Sequence, residues 1–69
     1  MNFKEWLMHF KNVDRPIGDL AKEIERDKDF PDTTSKEKIL EHLESHNAMD
    51  AIIDIFEYVY AFYKEDKKL

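Results

Sequence analysis

The stretch from Ala48 to Asp66 constrains this chain most, because two apolar stripes run through it side by side at helical spacing. One is Ile52, Phe56, Val59 or Tyr60, and Tyr63; the other is Ala51, Ile55, Tyr58 and Phe62. Residues three and four apart share a helix face, and only a narrow strip of Asp50, Asp54, Glu57 and Lys64 is polar. A helix that is apolar around most of its circumference is normally covered by neighbours on several sides. The rest of a 69-residue chain must supply that cover.

Three shorter elements are available for it. Phe3, Trp6, Leu7 and Phe10 fall at i, i+3, i+4, i+7 and predict a helix from about Phe3 to Phe10 or Lys11. Asn2 with Glu5 three residues on has the pattern of a capping box. After a loop over Asn12 to Arg15, Pro16 suits a first helical turn, where a missing N–H is no loss. Ile17, Leu20, Ala21 and Ile24 repeat the same stripe and predict a helix over about Pro16 to Asp27. Its mixed-charge face (Lys22, Glu23, Glu25, Arg26) reads as solvated. The segment Asp29 to Ser35 is a connection, since Phe30 is pushed to extended geometry by Pro31; its ring is expected to plug the core. Thr34 with Glu37 gives a second capping-box pattern ahead of a helix over Lys36 to Ser45, whose apolar edge is Ile39, Leu40 and Leu43. Asn47 with Asp50 marks the restart, and the charged tail Lys64 to Leu69 is expected to fray. The expectation is an all-α, compact four-helix domain over residues 1–69, with a long C-terminal helix packed by three shorter ones.

A chain this short buries only about 60% of its unfolded surface, so its core has to be dense. Aromatics at 13% of the residues supply that density, and a single glycine (Gly18) with two prolines argues against many strands and turns. With no cysteine there is neither a disulfide framework nor a cysteine zinc site. The longest apolar stretch is broken by Asp54 and Glu57, well short of a membrane span. The first residues carry no apolar run suited to a signal peptide, so a cytoplasmic location is expected.

Chemistry finds little to use. His42 and His46 stand i, i+4, a workable spacing for two metal ligands, but a zinc site needs a third and none is fixed nearby. Histidines near a helix C-terminus also favour the dipole and bond the last carbonyls. His9 lies off its helix's apolar stripe and is expected to be exposed. No Ser-His-Asp or Cys-His arrangement can be drawn, and one glycine makes no phosphate loop. Ser35 and Ser45, the only serines, lack the following Leu of an acyl-carrier motif. No enzyme activity, cofactor or metal is expected.

Binding remains. If three short helices cover only part of the last one, Ile55, Tyr58 and Phe62 are left as a protein-contact patch, for another protein or a second copy. The alternative is a nucleic-acid-binding or regulatory module using Lys4, Lys11 and Arg15, or Lys22 and Arg26, on phosphates. A net charge of −5, from 16 acidic and 11 basic residues, disfavours it, because binding rests on basic side chains displacing counterions.

Phe3-x-x-Trp6-Leu7, Pro16-Ile17-x-Asp19-Leu20-Ala21, Asp27-x-x-Phe30-Pro31 and the closing Phe56, Tyr60 and Tyr63 follow one another in an order that resembles the YozE family. These are small bacterial proteins of Gram-positive species. The resemblance covers essentially the full length. It implies a four-helix fold similar to sterile alpha motif (SAM) domains, and no activity, cofactor or site residue. SAM-type domains mostly bind proteins and some bind nucleic acid, an analogy of fold alone.

Overall fold

Asn2 opens the first helix as its spacing to Glu5 predicts. Its side-chain oxygen accepts the Glu5 N–H at 2.8 Å, and the Asn2 N–H donates back to the Glu5 carboxylate at 3.1 Å. The computed structural model describes residues 1–67. They form α1 (Phe3–Met8), α2 (Pro16–Arg26), α3 (Lys36–Ser45) and α4 (Asp50–Lys67). α1 ends earlier than its stripe suggests. Beyond Met8 the N–H groups of Phe10, Lys11 and Val13 bond three residues back instead of four, the tighter winding common where a helix ends. Phe10 still keeps its place beside Trp6, with ring centroids 4.9 Å apart.

Two caps differ from the sequence expectation. Ser35, not Thr34, caps α3 by accepting the Lys38 N–H. The Thr34 carbonyl instead takes the Tyr60 hydroxyl at 2.6 Å. Asn47 does not restart the chain as an N-cap; it ends α3. Its φ of 57° is the left-handed conformation. The Ala48 N–H reaches back to the Leu43 carbonyl and the Asn47 N–H to Glu44, the paired bonds of a Schellman motif. Asparagine is the residue other than glycine that adopts this conformation most readily.

The tail also departs from expectation. Residues 64–67 continue α4, and Asp66 accepts the Trp6 indole N–H at 2.6 Å. Lys68 and Leu69, on which the rest of the fraying expectation falls, lie outside the described residues.

Among the described residues α4 is the one helix that packs against all three others, while α1 also packs on α2. Its first stripe is the core: Phe56, Val59, Tyr60 and Tyr63 are buried with Phe3, Trp6, Leu7, Leu20, Ala21, Ile24, Ile39 and Leu43. Phe30 joins them from the α2–α3 connection as the plug its position predicts. Phe3 is the hub, edge-on to Phe56 at 5.3 Å and to Tyr63 at 5.4 Å. Such pairs add about 0.5–1.5 kcal/mol each beyond area burial. The Tyr63 hydroxyl donates to the Met1 carbonyl at 2.8 Å, and burial pushes its pKa up. No buried side-chain nitrogen or oxygen among the described residues lacks a partner.

Candidate functional site

The second stripe of α4 stays on the surface. Tyr58 is 68% exposed and Phe62 50%. Their rings meet edge to face at 5.0 Å, a pairing one helical turn apart that belongs to neither helix partner. Ile55 is half-buried below them and Ala51 is exposed. The question the sequence leaves open, core or surface, is thus answered differently for different members of one stripe.

What brings the stripe into a site is the start of α2. Pro16 at the first helical position sets the direction of that helix. Gly18 lets it sit beneath the preceding loop: a Cβ there would overlap the Val13 carbonyl oxygen and lie 3.2 Å from that of Phe10. With the loop drawn in, Arg15, Pro16 and Ile17 face Asp54, Ile55, Tyr58, Val59 and Phe62 across an open groove of about 550 Å³. A second hollow, of about 480 Å³, continues it between Phe10, Ile17, Phe62, Glu65 and Asp66. Ile17 and Phe62 line both, so the two hollows adjoin as one apolar strip.

Phe10 and Ile17 are members of this strip that the sequence assigns to the core. Both are half-buried and pack against the core from its edge. Periodicity identifies the face a residue occupies but not whether a neighbouring helix reaches far enough to cover it, so no signal in the stripe marks them.

The basic residues are divided. Lys11 donates to Glu25 at 2.8 Å. That hydrogen bond, with the charges of Lys11, Lys4 and Arg26, holds the Glu25 carboxyl below its usual range. Lys11 is therefore engaged by one carboxylate, whereas Arg15 lines the groove. Arg26 pairs with Glu23 at 2.9 Å, and Lys22 is exposed on the same helix.

His42 and His46 do come together, with ring centroids 4.1 Å apart, but the third group is not arranged as a ligand. His42 Nε2 lies 2.7 Å from an Asp27 carboxylate oxygen at the end of α2, and Phe30 packs edge-on against the same ring at 5.5 Å. Partial burial pushes the Asp27 carboxyl up, but hydrogen bonds from His42 and the Asp29 N–H, with the charge of both histidines, outweigh it and hold the group below its ordinary value. No cluster of three or more metal-binding side chains occurs among the described residues. His9 is exposed, its Nδ1 3.2 Å from the Trp6 carbonyl. Ser35 is occupied as a cap, and the Ser45 hydroxyl donates to the His42 carbonyl. No helix among the described residues is long and apolar enough to cross a membrane.

A family model described as the YozE SAM-like fold matches residues 2–65. No curated protein and no solved structure matches the chain. The matched span runs from the Asn2 cap of α1 to within two residues of the end of α4, and so takes in the whole buried core and nearly all of the apolar strip. On that extent of match, and with four helices arranged as the resemblance implies, the chain belongs to the YozE SAM-like fold family.

Proposed function

We propose that the protein is a non-catalytic, cytoplasmic interaction module of a bacterium, and that Ile55, Tyr58 and Phe62 make the contact with its protein partner. One observation carries this reading: two large aromatic side chains stand exposed on a helix whose other stripe buries Phe56, Val59, Tyr60 and Tyr63 in the core. Scattered exposed apolar residues need no explanation. These two adjoin each other and a groove walled by Pro16, Ile17 and Ile55, and a contiguous apolar surface of this kind marks contact sites. Tyrosine and phenylalanine are also enriched at interfaces.

The alternative, a nucleic-acid-binding module, draws less support. Lys4, Lys11 and Arg15 form no row: Lys11 is already paired with Glu25, and Arg15 borders an apolar groove.

The test is affinity capture from a cross-linked bacterial lysate, with and without nuclease, using the native protein and the variant carrying Tyr58→Ala and Phe62→Asp. A specific protein retained after nuclease by the native chain, and lost by the folded variant, is the expected result. Retention by the variant would move the contact elsewhere. Recovery of nucleic acid, with all proteins lost on nuclease treatment, would promote the alternative.

A further inference from the structure

The occupant of the apolar strip can be narrowed by its length, its shape and its charge; the inference rests on the contact reading above. The strip is bordered by α4 from Asp54 to Asp66. At 1.5 Å per residue that is about 18 Å, or three to four turns of a partner helix. Phe62 lines both hollows, and their midpoints on α4 lie about six residues and hence about 9 Å apart. Apolar side chains at i and i+7 of a helix are about 10 Å apart, so one helix laid along α4 puts one anchor in each hollow and its i+3 or i+4 residue against the Phe62 ring. An extended segment gains no such register here, because the walls are helices whose backbone groups are bonded internally and offer no strand edge.

Charge selects among helices. The strip is lined by Asp54 toward one end and by Glu65 and Asp66 at the other, against the single guanidinium of Arg15. Asp66 accepts the indole N–H of Trp6, a donor that brings no positive charge to the strip. Glu57, on α4 outside the strip, is paired with Lys36 at 3.5 Å and adds nothing to this excess; the chain as a whole carries −5. A second copy would bring the same excess of negative charge to the contact, which electrostatic complementarity disfavours. We infer that the strip receives a cationic amphipathic helix of another protein, with apolar anchors at i, i+3 or i+4, and i+7 flanked by Lys or Arg.

The probes are three 16-residue helical peptides: leucine at those anchor positions with flanking lysines, the same anchors with flanking glutamates, and the lysines with anchors replaced by serine. Each is titrated into the ¹⁵N-labelled protein, and affinity is read again by anisotropy of labelled peptide at low and high salt. The leucine–lysine peptide is expected to bind at least tenfold more tightly than either other peptide. Its shifts should centre on the amides of Ile17, Ile55, Tyr58 and Phe62, and its affinity should fall severalfold as salt rises. Asp54→Lys, at an exposed position, is expected to weaken it about fivefold and to improve the glutamate peptide. Equal binding of the lysine and glutamate peptides, still lost with Tyr58→Ala and Phe62→Asp, would overturn the charge selection and leave the contact face standing. Absence of binding by all three peptides at millimolar concentration would overturn the helical occupant. Self-association in sedimentation equilibrium that the double variant abolishes would also overturn it, in favour of a second copy on the same face. Shifts confined to residues away from the strip would overturn both readings together.

Discussion

At Gly18 the lack of a side chain decides where the site lies. In an ordinary helix position Ala is favoured over Gly by about 0.5–1 kcal/mol, since Gly loses more freedom on folding. Here the Val13 carbonyl occupies the space a Cβ needs. The neighbour is backbone and cannot swing aside as a flexible side chain does. Gly18→Ala is therefore expected to destabilise the protein by about 2 kcal/mol or more, opposite in sign to its helix propensity, as read by the midpoint of urea unfolding. A neutral or stabilising result would mean that the Asn12–Arg15 loop is not held against α2. The same scale explains Trp6, Tyr60 and Tyr63. Each buries an aromatic body and satisfies its polar atom, on Asp66, Thr34 and Met1 respectively. None of these partners was legible beforehand, because they lie 26 to 62 residues away in sequence, and spacing rules speak only to neighbours within a helix or turn.

At the level of elements, α3 has the thinnest attachment. Its backbone lies close to that of α4, while it meets α1 and α2 through the core side chains Ile39 and Leu43. Its side-chain tie to the end of α2 is the His42–Asp27 bond. Because the Asp27 carboxyl is held below its ordinary value, its contribution to stability is present above that value, near 3.8, and is lost as pH falls through the still lower folded value. Unfolding free energy is expected to decline below about pH 4 with a slope that Asp27→Asn removes in part. Measuring urea midpoints from neutral pH down to acid checks this, and an unchanged slope in the variant would detach Asp27 from the effect. The positions of α2 and α3 were readable to within a residue from Pro16, the repeated stripes and the polar connection. Their caps were less so. Thr34 and Ser35 are both hydroxyl residues placed to start α3; Ser35 caps it, and the Thr34 carbonyl takes the Tyr60 hydroxyl. Asn47 serves a helix end or a helix start with similar ease, so its residue type alone does not say which.

Across the whole molecule, the two stripes of α4 have been given different uses. Three short helices suffice to bury Phe56, Val59, Tyr60 and Tyr63, and they run out of surface before reaching Tyr58 and Phe62. The sequence shows both stripes clearly; what it does not show is the limited reach of α2, whose first turn approaches α4 but stops short of closing over it, leaving the groove. A domain of this size rarely has more than about 3–5 kcal/mol of stability to lose. Loss of a buried Phe costs about 3–5 kcal/mol, so Phe56→Ala is expected to abolish cooperative folding. The most direct test sets that variant beside the one carrying Tyr58→Ala and Phe62→Asp in thermal unfolding followed by circular dichroism. The double variant is expected to melt cooperatively within a few degrees of the native protein while Phe56→Ala does not. A double variant as unfolded as Phe56→Ala would contradict it, and would return Tyr58 and Phe62 to the core.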